Sequence, residues 1–327
     1  MRSPEAGTSV LISSGLGNQL FQLSASIYLN GGARARLLAL GNERQHIPGY
    51  ADVSGFALGD DTEIVAPRAT SRVKLARKLL GETQTFYSRA PGESDLRRKV
   101  LAGSGRILAP SLLVPELGPG LRIRAAVGIG YDQAVTPSHR KDLWLGFFQS
   151  WKYSQAEEVA RLLGGPAPAM PCSWFDLMAY RAIEEQPLIV HVRLGDYRHI
   201  PGAGIPNKEY YRRALFQATE AVGPESVWLF SDEPDAATTL LPTQVLGRPV
   251  EAIVPPTSCS HPATVLSVMS KGTGFVTANS TFSYWAARLS GVGGDHIFVP
   301  DPWFPGGPTI RDMIPEDWRR IPRSHSD

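Results

Sequence analysis

An α/β protein in two halves, each a parallel sheet covered by helices, is the fold class that the sequence predicts. Three observations predict it. Short apolar runs alternate with amphipathic stretches along the chain, the pattern of βαβ units. A chain of 327 residues with 43% hydrophobic side chains can bury a large core and is long enough for two domains. Residues 164–171, GGPAPAMP, join helix-stopping glycine to several prolines, the composition of a domain boundary. The expected domains are therefore 1–170 and 171–327.

In the first half, residues 10–13 read as a strand, 18–30 as a helix and 36–40 as a second strand, a βαβ opening. Residues 69–80 and 94–102 look helical, 143–149 form a strand, and 154–163 a closing helix. A helix at 174–185 belongs to either side of the boundary. A second series follows: strand 188–192, helix 208–222, strand 227–230, a short helix at 235–241, strand 251–254, helix 263–271 and strand 274–278. Two Rossmann-like units result, with no internal repeat and no low-complexity tract.

Composition excludes several classes. No apolar stretch approaches the ~18 residues that span a bilayer, and the opening MRSPEAGTSV lacks the apolar run of a secretory signal. A cytoplasmic location is the expectation. Cys172 and Cys259 are the two cysteines, one near the boundary and one far into the second half; without a pairing pattern they read as plain buried thiols of a reducing compartment. Net charge is +2, but residues 66–106 hold ten Lys or Arg against Glu82, Glu93 and Asp95. A solvated helical face is the commoner meaning of such a run; contact with an anionic headgroup or acidic glycan is the alternative. A pI near 8.5 without interleaved aromatics gives no nucleic-acid footprint.

The most informative segment is LIVHVRLGDY, residues 188–197. Side chains at i and i+2 line one strand face, so His191 and Arg193 are expected to point together from a strand's C-terminal end. Ligands of open α/β sheets bind at that end, and the fork of an Arg matches phosphate oxygens. A plain pair between Arg193 and Asp196 is the structural alternative. At the N-terminus, SSGLGNQLFQ joins the first strand to the first helix. Gly15 and Gly17 permit a tight turn and a close ligand approach, and the free N–H groups of a helix start favour an anion. A dinucleotide fingerprint fails here, because Leu20 stands where a third glycine belongs and no acidic residue ends the second strand. Asn18 and Gln19 offer amides to phosphate or sugar hydroxyls, against a capping role for Asn18. Asp232, after the 227–230 strand, could accept two donors from a guanine ring or simply cap a helix. Asn279, Ser280, Thr281 and Ser283 open the helix after the last strand, a seat for a diphosphate or an ordinary cap. Phe148, Gln149 and Trp151 are acceptor-side candidates, since sugars stack on aromatics and bond to amides; core packing explains Phe148 and Trp151 equally well.

These motifs carry a resemblance. GLGNQLF, LGFFQSWKY, HVRLGDY, LFSDE, TANSTFSYWAA and VPDPWF occur in the order seen in bacterial α-1,2-fucosyltransferases of glycosyltransferase family 11, spanning Gly15 to Phe304. The resemblance implies a GT-B-like fold of two Rossmann-type domains facing a central cleft. It implies GDP-L-fucose as donor substrate, no cofactor, and transfer with inversion to a glycan hydroxyl, the 2-OH of a galactoside, in cell-surface polysaccharide or oligosaccharide synthesis. The partners are then a nucleotide sugar and a glycan acceptor, free or lipid-linked, with at most peripheral contact with the inner face of the membrane. Carried over by residue, Arg193 holds the β-phosphate, His191 and Asp232 lie near the guanosine, and Ser280, Thr281 and Ser283 surround the diphosphate. Gly15, Gly17, Asn18 and Gln19 close over it from the opposite domain. Arg193, Asn18 and Asp196 are the catalytic candidates, with Asp196 able either to take a proton or to fix Arg193.

The chain departs from the family pattern at four places: Leu194 replaces a second Arg, Glu233 a second Asp, Tyr284 a Trp and Ser14 a Gly. Leu194 should point away from the ligand face and affect packing first. Glu233 and Tyr284 leave room for another GDP-deoxyhexose. No D-x-D tripeptide occurs, so catalysis without a metal is expected, with Arg193 and the helix start near Ser280 in place of the cation.

Overall fold

The computed structural model describes residues 7–41, 52–68, 70–88, 114, 121–137, 141–153, 155–200, 202–245, 247–305, 310 and 312–323. The chain forms two compact units. One runs to Gly165 and takes in Ile310–Met313; the other runs from Pro166 to Thr309 and resumes at Ile314.

In the first unit β1 (Ser9–Ile12), β2 (Ala35–Ala39), β3 (Thr62–Val65), β4 (Arg122–Ala125) and β5 (Asp142–Leu145) make a parallel sheet in the order β3-β2-β1-β5-β4. The central β1 is apolar after its first residue and wholly buried, as a parallel strand covered on both faces must be. Helices α1 (Leu16–Leu29), α2 (Ser71–Ser88) and α3 (Ala156–Leu162) accompany the sheet. The chain leaves α1 through Gly31 and Gly32, both at positive φ, with the Gly32 N–H returning to the Ile27 carbonyl at 2.9 Å. Helix α2 runs past its expected end, and of the basic stretch Arg68, Arg72, Lys74 and Lys78 are exposed. The helix expected at 94–102 lies outside the described residues.

The second unit holds β6 (Pro187–Val192), β7 (Ser226–Ser231), β8 (Gln244–Val245), β9 (Arg248–Ala252), β10 (Gly274–Val276), β11 (Ile297–Asp301) and β12 (Arg319–Pro322). Their order is β12-β11-β10-β6-β7-β9-β8, parallel except for the short β8 at one edge. Counted from β6 along the chain, the six parallel strands lie in the order 3-2-1-4-5-6 of a doubly wound sheet, which reverses direction between β6 and β10. Helices α4 (Ser173–Glu185), α5 (Lys208–Val222), α6 (Pro234–Thr238), α7 (Pro262–Met269) and α8 (Thr281–Ser290) complete the unit. Helix α5 has the bounds its sequence announces. Asn207 caps it, accepting from the Tyr210 N–H at 3.0 Å, and Gly223 ends it at φ 61°. Tyr210, Tyr211, Ala214, Leu215 and Ala218 of α5 pack on Leu188, Val190 and Val192 of β6 in one apolar cluster.

Several expectations are corrected. The strand expected over 143–149 stops at Leu145. A Cβ on Gly146 would come within 2.8 Å of the Phe148 ring, and Phe148 itself turns left-handed at φ 52°. Strands β3, β4, β11 and β12 escaped the sequence reading because they are four or five residues long, and β11 contains Pro300 while β12 is half arginine. The cysteines are not plain thiols: Cys172 and Cys259 form a disulfide across a sequence separation of 87. Their distance along the chain concealed that the N-cap of α4, Cys172, meets the 3-10 turn Thr257–Cys259. The cysteine argument for a reducing compartment loses its basis. Closing so long a loop stabilises by about 2–4 kcal/mol, so Cys172→Ser is expected to lower unfolding stability by that amount, and reductant should do the same to the native chain. Denaturant midpoints with and without reductant test this; equal midpoints would show that the bridge constrains nothing.

Among the described residues no helix is long and apolar enough to cross a membrane.

Candidate functional site

In the second unit His191 and Arg193, Asp232, and Asn279 and Ser280 fall at or just past the C-terminal ends of β6, β7 and β10, on both sides of the switch point. That is where crossover connections diverge and leave a crevice. His191, on the last turn of β6, is 4% exposed, and its Nδ1 has no partner. Its ring lies 6.0 Å from that of Phe282 at the start of α8. Burial first, and the Arg193 charge second, push its pKa down to about 3, so the imidazole is neutral at pH 7.

Arg193 follows β6 and is half-buried. Its Nε and Nη2 donate to Asp196 Oδ1 at 3.1 and 2.9 Å, and Nη1 lies 3.4 Å from Asp232 Oδ2. The guanidinium also stands 5.9 Å from the centre of the Tyr197 ring. Asp196 thus occupies one edge of the fork, while Nη1 keeps only a long contact and remains available to an incoming anion. Asp232 Oδ1 accepts the Leu194 N–H at 3.0 Å, which ties the end of β7 to that of β6. This approach requires Gly195, since a Cβ there would stand 2.5 Å from Asp232 Oδ2.

The other bank of the switch point is the start of α8. Ser280 caps it, accepting from the Phe282 N–H at 3.3 Å, and the buried Ser283 hydroxyl donates back to the Ser280 carbonyl at 3.2 Å. Thr281 is partly exposed at the first helical position. Asn279 is fully buried, and its Nδ2 donates to the carbonyls of Ala203 and Gly204 at 2.7 and 2.9 Å, so it holds a loop. Tyr197, which the sequence reading missed, joins the two banks: its hydroxyl donates to the Asn279 carbonyl at 3.0 Å, and burial raises its pKa to about 12. Its place in GDY, four residues past Arg193, was the available signal.

The departures from the family pattern acquire physical reasons. Leu194 turns into the apolar cluster beneath α5, on the face opposite Arg193. Glu233 pairs with Arg198. Tyr284 is fully buried between Trp285 and Trp318, at ring distances of 5.6 and 4.9 Å. Ser14 adopts φ 64°, a conformation that glycine takes without cost.

The first unit has its own polar cluster at the ends of β1 and β5, where its strand order also reverses. Gly15 is the N-cap of α1 and is exposed, whereas Gly17 is buried within the helix. Gln19 faces inward, 2% exposed. Its Nε2 donates to the Ser14 carbonyl at 2.8 Å and to Asp52 at 3.2 Å, and its Oε1 accepts the Val53 N–H at 3.1 Å. The Gln19 amide therefore braces the loop instead of reaching a ligand. Gln22 and Gln84 both donate to the Gly146 carbonyl, at 3.0 and 2.8 Å, and bind the β1 and β5 ends together. Asn18 is half-buried; its Oδ1 accepts from Gln149 Nε2 at 2.8 Å, which leaves its Nδ2 as a donor. Phe148 is fully buried against Tyr153, with ring centres 5.6 Å apart, and is a core residue. Trp151 is partly exposed, 5.8 Å from Lys152 Nζ.

Among the described residues no group of three or more His, Cys, Asp or Glu is placed to hold a metal ion. No family model matches the chain. The curated O-antigen biosynthesis glycosyltransferase WbnK of Escherichia coli is 30% identical over 121 residues, 36% of this chain and 39% of that protein. The match thus spans about two fifths of the relative's length. Among solved structures, the chain is similar to the E. coli ADP-heptose LPS heptosyltransferase II, with 14% identity, TM-score 0.47, and 96% of this chain and 90% of that one covered. It is also similar to the NodZ α-1,6-fucosyltransferase soaked with GDP-fucose, with 15% identity, TM-score 0.46, and coverage of 92% and 97%.

Proposed function

We propose that this protein is a glycosyltransferase that moves L-fucose from GDP-L-fucose, with inversion, to a glycan hydroxyl, the 2-OH of a galactoside. The observation that carries the reading is that Arg193, just past β6, and the start of α8, just past β10, flank the switch point of a doubly wound sheet, so that a diphosphate placed there would meet a guanidinium edge and a helix N-terminus. The ordered motifs from Gly15 to Phe304 and the partial identity to an O-antigen glycosyltransferase support the same reading.

Breaking the sugar C1–phosphate bond leaves negative charge on the diphosphate and an oxocarbenium-like sugar. Donors preorganised around the phosphate then stabilise the transition state more than the ground state. Arg193 is the principal donor in this reading. Asp196, already bonded to it, fixes the guanidinium, and Thr281 adds a hydroxyl. Neutral His191 and Asp232 lie on the nucleoside side. The acceptor glycan, free or lipid-linked, supplies the attacking hydroxyl.

Binding of GDP-fucose, GDP-mannose and GDP-rhamnose, followed by transfer to a panel of galactosides with the linkage read by NMR, tests the assignment. Fucose transfer to a galactoside 2-OH is expected. Preferred turnover of another GDP-sugar would move the donor, and tight GDP binding with neither transfer nor hydrolysis would end the enzyme reading. Catalysis is further proposed to need no metal, so turnover in excess chelator should equal turnover without it; a strict divalent requirement refutes that part.

A further inference from the structure

Arg323 is a half-buried cation that the reaction just described does not use. It follows β12, so it sits at the same C-terminal edge of the sheet as Arg193, but three strands away, a separation on the order of 14 Å at ordinary strand spacing. One phosphate cannot bridge that distance. The backbone N–H of Arg323 donates to the Asp301 carbonyl at 2.9 Å, and its Nη1 donates to the carbonyls of Trp303 and Pro302 at 3.2 and 3.5 Å.

Among the described residues the rest of the guanidinium is uncommitted. No carboxylate of the described residues lies within ion-pair distance of Arg323, whereas half-buried Arg36, Arg122, Arg181 and Arg193 each have one. The Nε and Nη2 protons, the two that form the parallel fork toward an oxyanion, meet no acceptor there. Nη2 instead faces Gly204, where a Cβ would come within 3.2 Å of it. Burial without a counter-charge lowers the Arg323 pKa, and the groups around it are the phenols of Tyr210 and Tyr211. Neither phenol neutralises it: Tyr210 donates to the Thr277 carbonyl at 2.6 Å and Tyr211 to the His191 carbonyl at 3.1 Å. The loop beside Nη2 is held in place, because Asn279 Nδ2 binds the Ala203 and Gly204 carbonyls.

We propose that Arg323, with the Gly204 loop and the Pro302–Trp303 backbone as its frame, is a second oxyanion seat, for a phosphate or carboxylate group distinct from the one at Arg193. A partly desolvated guanidinium with an open fork gains more from a bidentate oxyanion than an exposed one does. The seat stands whether or not the chain transfers a sugar.

The test uses the full chain carrying Arg193→Ala, which removes the cation at β6, titrated with inorganic phosphate at low ionic strength while thermal unfolding is followed. Phosphate is expected to raise the midpoint. Adding Arg323→Gln should weaken the apparent affinity at least tenfold, and Arg323→Lys, which keeps the charge but not the fork, should fall between. Because Arg323→Gln also removes the bonds to Pro302 and Trp303, a second measurement uses the unmutated chain: brief phenylglyoxal labelling mapped by mass spectrometry, with phosphate in one arm and acetate in another. Protection of Arg323 by phosphate alone identifies a phosphate seat, and protection by both identifies a general oxyanion seat. Labelling unchanged in both arms, with affinity unchanged in Arg323→Gln, would reduce Arg323 to a strut for the 302–303 backbone.

Discussion

Arg193→Ala is expected to lower turnover by about 10² to 10³, the loss that follows removal of one preorganised donor to a developing negative charge. The surroundings of Arg193 set the direction within that range. Its cation lies between Asp196 and Asp232, so truncation leaves two carboxylates facing the proposed position of the diphosphate with nothing to offset them. Repulsion then adds to the missing donor and moves the loss toward the upper value. Arg193→Lys restores charge but not the fork held by Asp196 Oδ1, and should recover only part of the rate. Single-turnover rates at saturating donor separate chemistry from binding. A rate within a few-fold of the native one would remove Arg193 from the reaction.

Acid is expected to destabilise the second unit through His191. In the folded chain its pKa is about 3, against 6.5 for the free side chain. Above pH 6.5 both folded and unfolded imidazoles are neutral, and the group adds no pH dependence. Below it, the unfolded chain takes up a proton that the folded chain refuses, so stability falls as pH falls, by about 1.4 kcal/mol per unit. Between pH 6.5 and 4.5 this amounts to about 2 kcal/mol, because the unfolded imidazole is only half protonated at the start of that range, and the loss continues until the folded imidazole itself protonates near pH 3. His191→Asn, which cannot take up a proton, should flatten that limb. Denaturant midpoints at pH 6.5, 5.5 and 4.5 for the two proteins give the difference; parallel curves would mean that the ring is solvated and not buried beside Phe282.

The strands on which both results depend were readable because their residues must be apolar on both faces. LIVHV and VLI are continuous hydrophobic runs, and Asn207 and Gly223 mark the ends of α5 by their own backbone preferences. Arg193 beyond a strand end and Ser280 at a helix start were legible for the same reason: local geometry placed them. Gln19 was misread for lack of a partner in view. Its amide is directed by Asp52 and Val53, more than thirty residues away, and no local rule announces a hydrogen bond of that span. Tyr197 and Asn279 belong to the same class.

Local sequence alone determined where the chain alternates between strand and helix, and which polar side chains fall at strand ends, because periodicity and capping act over a few residues. Only tertiary structure decided which ends became neighbours. It placed β10 beside β6, so that the start of α8 comes just past the strand next to the one that Arg193 follows, joined Cys172 to Cys259, and left Arg323 without a carboxylate partner among the described residues. Such pairings arise from strand order and packing between segments distant along the chain, and no interval in the sequence encodes them.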